Sequence, residues 1–305
     1  MNEKKKFHAH GKFLITGEYA VLNNVPALAM PLKLNQYLEI SDREDQVITW
    51  KSYNSDGDLW YQVVTNVPDL YSDSISCSNP ITFRLSKILN TALQLTSNNS
   101  LQGFDAVMTL DFDRHSGMGT SSTLISLISQ WLGCNPYQLQ FKCFGGSGYD
   151  VACARASKSL VYTYNNANPV VEEVTFDPAI KEYIFFVYLN RKQNSRDSIT
   201  QFNQELLTDD LREELTNMPQ GFISASNDVS EFNKRIDRHE EIISSLIGVK
   251  PIKKQFFGDY EGSIKSLGGW GGDFIMATGG IDARNYFKGK GYNEILEWDE
   301  VALKI

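Results

Sequence analysis

Apolar positions recur along this chain with two periods, and the switch between them sets the predicted element order. Lys12 to Ile15 reads as a strand that closes at Gly17. Val25 to Leu32 is a second apolar run, and its two prolines, Pro26 and Pro31, predict an edge strand or extended segment. Short strands follow over Tyr37–Ile40, Val47–Tyr53 and Leu59–Val64, then a helix over Thr82–Leu95 and a loop over Asn98–Gly103. From Asp105 to Asp113, Ala106, Met108, Leu110 and Phe112 alternate as on a strand. Behind them Leu124, Leu127, Ile128, Trp131 and Leu132 fall at helical spacing until Gly133. Asn135-Pro136 turns into a short helix over Tyr137–Phe144, and Ser159–Tyr164 reads as a strand.

The second half repeats the alternation of periods. A polar stretch over Ala167–Ile180, carrying two prolines, predicts a boundary, with one domain over residues 1–172 and another over 173–305. Tyr183–Leu189 is an apolar strand. Two helices are expected next. One covers Asp197–Leu215, and the other has Val229, Phe232, Ile236, Ile243 and Leu246 on one face and stops at Gly248. His239 on that second helix reads as structural or solvated. Two short strands, Ser263–Leu267 and Phe274–Thr278, flank GGWGGD, and the tail from Asn285 adds a helix and a strand.

Composition narrows the class. The 305 residues are 42% hydrophobic and 22% charged, enough apolar content for a full core. A net charge of −8 argues against a general nucleic-acid binder. Cys77, Cys134, Cys143 and Cys153 form no CxxC pair, which predicts reduced thiols in a cytoplasmic protein and no zinc site. The start has no signal-peptide pattern, and no apolar run is long enough to span a membrane.

Three glycine-rich segments carry the candidate chemistry. In DFDRHSGMGTSST, Gly117 and Gly119 precede Thr120, Ser121 and Ser122 at the start of a helix. A turn of this kind points several N–H groups into one space, and the helix dipole adds positive potential, so a phosphate fits. A tight turn with a Ser/Thr N-cap fits the same residues. No Lys follows the second Gly, so this is not the G-x-x-x-x-G-K-[ST] loop. In GGSGYDVACARA, Asp150 follows three glycines and reads either as a base or as an N-cap. Lys12, in the first strand, is either ligand-facing or a plain surface residue, and Glu18 and Tyr19 sit just past the turn where side chains can face a cleft. Lys192, Asn194, Ser195 and Arg196 cluster after the strand ending at Leu189, which suits an anion or an ordinary capped loop.

Taken in order, the segments resemble the motifs of the GHMP kinase superfamily of small-molecule kinases. GKFLITGEYAVLNNVPALA resembles the first motif, HSGMGTSST the phosphate loop, and KSLGGWGGDF the C-terminal Gly-rich motif. The resemblance spans nearly the whole chain. It implies an α+β fold of two domains, an N-terminal one like ribosomal protein S5 domain 2 and a C-terminal ferredoxin-like one. It also implies transfer of the γ-phosphoryl group of ATP, with Mg²⁺, to a small alcohol or phosphate in a monomer or homodimer. By the same resemblance Gly117, Met118, Gly119, Thr120, Ser121 and Ser122 cradle ATP phosphates, and Ser121 helps hold Mg²⁺. Asp150 is the base and Lys12 the cation beside the transferred group. Glu18, Tyr19, Ser147, Lys192, Ser195, Arg196, Gly268, Gly271 and Gly272 line the substrate side.

The departures from the pattern bear on the acceptor. Met118 and Thr120 replace the usual Leu and Ser, and Trp270 stands where the third motif has Gly, where it could narrow the site, stack on nucleotide or cover the loop. A Glu upstream of the base, the second Mg²⁺ ligand of mevalonate kinases, has no counterpart. GSGYDVA and the GGD ending are closer to phosphomevalonate kinases. The resemblance thus implies a phosphomevalonate kinase of isoprenoid precursor synthesis. The alternatives are a mevalonate kinase and a catalytically silent ligand-binding or regulatory relative. Partners are then a small anionic substrate, with no nucleic acid and no membrane.

Overall fold

The computed structural model describes residues 4–71, 79–96, 101–165, 168–191, 202–270 and 273–303. Its strands are β1 (Lys5–Leu14), β2 (Ala27–Asp42), β3 (Val47–Tyr53), β4 (Leu59–Asn66), β5 (Phe104–Leu110), β6 (Ser159–Thr163), β7 (Val170–Val174), β8 (Ile184–Tyr188), β9 (Ile264–Ser266), β10 (Phe274–Thr278) and β11 (Ile295–Glu297). Its helices are α1 (Pro80–Gln94), α2 (Thr120–Leu132), α3 (Pro136–Cys143), α4 (Tyr149–Cys153), α5 (Asp209–Ser224), α6 (Val229–Ile247), α7 (Ile252–Phe256), α8 (Asp282–Gly289) and α9 (Trp298–Val301). The α+β class expected from the sequence is the class observed. Among the described residues no helix is long and apolar enough to cross a membrane.

The chain forms two compact units whose segments interleave in sequence. The first holds Met1–Gly11, Leu34–Arg114 and Gly119–Arg155, and the second holds Lys12–Lys33, His115–Met118 and Ala156–Ile305. In the first unit β4 pairs β3 antiparallel, β3 pairs β5 in parallel, and β5 pairs Gln36–Asp42 of β2 antiparallel. Alternate residues of these strands, among them Trp50, Ile48, Leu38, Ile40, Phe104 and Ala106, are buried against α1, α2 and α3. Trp131 of α2 packs edge-on to Phe104 with ring centroids 4.7 Å apart. This packing fixes the helix that opens at the glycine turn.

In the second unit a four-stranded antiparallel sheet runs β11-β8-β10-β9. Phe185, Val187, Ile264, Ile275 and Ala277 from it share a core with Phe257, Tyr260 and Phe287. Helix α6 is amphipathic as expected, with Asp228 capping its first turn and Gly248 ending it in the left-handed conformation.

Several elements differ from the sequence expectation. Residues 25–32 do not form an edge. Strand β2 is one run of 16 residues that pairs with β1 and, through Ala27–Ala29, with β6. Pro31 is tolerated because it lies past the β6 ladder and ahead of the β5 ladder, so its missing N–H removes no rung of either. Of the helix expected over 197–215, residues 197–201 lie outside the described residues and 202–208 are not α-helical; the helix over the rest starts at Asp209, where Thr208 caps it and Asp209 and Asp210 favour the positive end of the dipole, and it continues to Ser224. The polar stretch 167–180 contains β7, a mostly exposed strand antiparallel to β6.

Candidate functional site

The glycine turn is built to leave backbone donors uncapped. Gly119 occupies the N-cap of α2 at φ 103, with no side-chain cap. The Ser/Thr N-cap alternative is therefore not what forms. Only glycine adopts such a φ without strain, and it contributes no capping oxygen. The first N–H bonded inside the helix is that of Thr123, to Gly119 O at 3.0 Å. The N–H groups of Thr120, Ser121 and Ser122 thus have no intrahelical acceptor and sit at the positive end of the dipole. The three hydroxyls divide. Ser122 is buried and donates back to Gly119 O at 2.8 Å, and Thr123 is hydrogen-bonded to Gln36 and Gly119, whereas Ser121 is exposed.

Also in the first unit, Gly148 is the N-cap of α4 at φ 83, so Asp150 is not a cap. Asp150 lies in the first turn, half-buried, and its Oδ1 accepts the N–H of Val151 at 3.0 Å. Ser147, just ahead, is buried.

The second unit brings Lys12, Gly117, Met118 and Gly268 together. Lys12 sits near the end of β1. Its N–H donates to Met118 O and its ammonium to Gly117 O, both at 2.9 Å. The next residue, Phe13, points the other way and stacks on Phe186 at 4.9 Å and near Phe274 at 5.3 Å, which anchors the strand to the sheet. Gly268 follows β9, and a Cβ there would lie 3.7 Å from Lys12 Nζ. Gly117, at φ 73, is tighter: a Cβ on it would fall 1.9 Å from Asp273 Oδ2. The sequence reading did not single out Asp273, although it closes the GGD ending. Met118 is buried, so it presents backbone only. Trp270 is buried as well, its backbone N–H donating to Gly268 O at 3.0 Å, and its ring does not form an open stacking platform.

Glu18 and Tyr19 are also buried, where the sequence suggested a cleft-facing position. Glu18 enters an ion cluster that the sequence did not reveal. Lys265 of β9, fully buried, contacts Glu18 Oε1, lies 3.2 Å from Glu240 Oε1, and donates to Ser266 O at 2.5 Å. Glu240 of α6 accepts from the N–H and hydroxyl of Ser266 at 3.0 and 2.9 Å. His239, its neighbour on α6, accepts the Gly17 N–H through Nε2 at 3.2 Å, which makes it a neutral ring protonated on Nδ1. Burial holds its pKa well below the usual range. Its Nε2 also lies 3.2 Å from Glu18 Oε2. Burial pushes Glu18 up to about 7, against the opposing pull of Lys265. Lys192, Ser195, Arg196, Gly271 and Gly272 lie outside the described residues.

The oxygen donors fit a hard divalent cation carried by a nucleotide. Mg²⁺ takes one or two carboxylates with substrate phosphates, and within the second unit the Asp273 carboxylate against Gly117 is an oxygen donor of that kind; in the first unit the Ser121 hydroxyl is exposed at the helix start.

No protein-family profile and no curated protein matches the sequence. Solved structures do match. Mevalonate kinase from Methanococcus jannaschii is similar with a TM-score of 0.72 at 14% identity, covering 99% of each chain. Streptococcus pneumoniae phosphomevalonate kinase, in complex with phosphomevalonate and AMPPNP, is similar with a TM-score of 0.70 at 15% identity, covering 96% of this chain and 99% of that one. Lactococcus lactis galactokinase complexed with galactose gives 0.69 at 12% identity, covering 99% of this chain and 93% of that one. Identity this low speaks to architecture, and over essentially its whole length this chain has the GHMP kinase fold.

Proposed function

We propose that the protein is an ATP- and Mg²⁺-dependent kinase for a small anionic acceptor, with phosphomevalonate the favoured one. The observation that carries this reading is the Lys12 ammonium seated on Gly117 O, at a turn that leads into an uncapped helix start. A cation held at the first glycine of a phosphate-binding turn is suited to stabilising charge on a transferring phosphoryl group. The phosphomevalonate kinase of the same fold, solved with phosphomevalonate and AMPPNP, supports the choice of acceptor.

In this reading an acceptor oxygen attacks the γ-phosphorus, the bond to the bridging oxygen breaks, and the electron pair leaves with ADP. The N–H groups of Thr120, Ser121 and Ser122 hold phosphate oxygens, and Lys12 offsets the developing negative charge. Ser121 would be one ligand of a Mg²⁺ bound with the nucleotide, which would supply neutralisation of phosphate charge. Asp150 accepts the proton of a hydroxyl acceptor. A phosphate acceptor, with its second pKa near ~6, is already ionised at neutral pH and asks less of that base.

The test is ADP release by purified protein with ATP, Mg²⁺ and, separately, phosphomevalonate, mevalonate, homoserine and galactose. Acceptor-dependent release with phosphomevalonate is expected. Release with mevalonate alone would transfer the assignment to mevalonate kinase, and no release above the ATP-only rate with any acceptor would favour a silent ligand-binding protein.

A further inference from the structure

Asp273 has a position that the reading above does not use. Its carboxylate fills the space in front of Gly117, with Oδ2 at 1.9 Å and Cγ at 2.6 Å from where a Cβ would be. Gly117 is the residue whose carbonyl holds Lys12 Nζ. The backbone of Asp273 is fixed from the sheet: its carbonyl accepts the Leu189 N–H at 2.7 Å, and the next residue, Phe274, pairs with Tyr188 of β8. The carboxylate therefore stands at the turn on a residue whose backbone the sheet holds.

Such a group discriminates between two forms of the same ligand. Beside the Lys12 ammonium, it adds a repulsive contribution toward a metal-free triphosphate and an attractive one toward a triphosphate carrying a divalent cation, because the sign of the ligand's charge nearest the carboxylate reverses. Among the described residues no three His, Cys, Asp or Glu side chains gather to hold a metal by themselves. Mg²⁺ bound with phosphates needs only one or two protein carboxylates.

We infer that Asp273 makes nucleotide binding at the Gly117 turn depend on a divalent cation, by repelling the metal-free triphosphate and by ligating the cation of the metal-loaded one directly or through its water. This rests on the nucleotide reading proposed above. Calorimetric titration of the full chain with AMPPNP, once with Mg²⁺ and once with EDTA, tests it on the parent and on Asp273→Asn. The parent is expected to bind about tenfold or more tightly with Mg²⁺. Asp273→Asn is expected to weaken the Mg²⁺ form by about tenfold and to strengthen the EDTA form, so that the two affinities converge. An equal fall in both affinities would mean that the carboxylate only braces the turn, and no change in either would mean that it does not face the phosphates. Either result overturns the inference while leaving nucleotide binding intact. A parent that binds AMPPNP in neither condition overturns the nucleotide reading itself. If Asp273→Asn does not fold, Asp273→Ser, smaller and also uncharged, carries the same comparison.

Discussion

Replacing Lys265 by Met tests the buried cluster most directly. The ammonium has no solvent contact, and three acceptors converge on it: Glu18, Glu240 at 3.2 Å and the Ser266 carbonyl at 2.5 Å. It is the cluster's cation, since His239 is neutral. Met keeps the length of the side chain and most of its packing, so the loss is mainly electrostatic. Two buried carboxyl groups then remain without their counter-charge. Removing one partner of a buried pair costs about 3–5 kcal/mol, a large share of a typical stability of about 5–15 kcal/mol. Because the chain has two compact units, the loss should be read locally, by hydrogen exchange of amides in α6, β9 and β10 under native conditions. Those amides should lose protection corresponding to about 3 kcal/mol or more, while α1 and β3 in the first unit change little. Lys265→Met combined with Glu18→Gln should recover part of the loss, because an uncharged amide needs no ammonium. A loss below about 1 kcal/mol, the range of an exposed pair, would refute the claim that this charge is isolated from water.

The cluster also fixes a pH signature. Glu18, raised from 4.5 to about 7, contributes stability that is complete below pH 4.5 and is lost as the pH rises toward 7, at about 1.4 kcal/mol per unit. His239, depressed below 6.5, contributes stability that is complete above pH 6.5 and is lost as the pH falls. Between pH 4.5 and 6.5 the two oppose each other. Thermal melts of Glu18→Gln should therefore gain a slope rising with pH relative to the parent, and His239→Asn one falling with pH; parallel curves for all three would dismiss the linkage. Gly117→Ala places a methyl group on Asp273 at a left-handed φ, and should cost about 1–3 kcal/mol in urea unfolding, less in an Asp273→Gly background. Lys12→Met should lower kcat by about 10²–10³ with unchanged circular dichroism. Asp150→Asn should remove most turnover, and more completely with mevalonate than with phosphomevalonate; parent-like rates in both variants would end the catalytic assignment.

What was legible in the sequence was what neighbouring residues encode. The spacing of Gly117 and Gly119 ahead of an amphipathic run announced a turn and a helix, and α6 was readable from its apolar face to Gly248. The misread elements had conflicting local signals. Pro31 suggested an edge because its position between two ladders depends on partners far along the chain. The VVEEV of β7 has no alternation, since most of it faces water on an outer strand. The site was least legible where it is made by distant partners. His239 looked solitary because Gly17, Glu18 and Lys265 come from other segments, and Asp273 gained its meaning only from Gly117.

Those distant partners act on the same two segments. Glu18 lies on the chain just after the strand end that carries Lys12, and Lys265 and Ser266 lie just before Gly268, whose α-carbon faces Lys12 Nζ. One ammonium between two carboxylates in a dry core is a weak source of net stability, because desolvation offsets most of the attraction. Its effect is on register. A slip of β9 by one residue would turn Lys265 to the opposite face of the sheet and leave both Glu18 and Glu240 buried without a cation. Tyr19, next to Glu18, is held at φ 59, outside the favoured range of an aromatic residue. The cluster therefore selects the arrangement in which Gly268 reaches the Lys12 ammonium, and the same sheet carries Asp273 to Gly117 at the other end of the glycine segment.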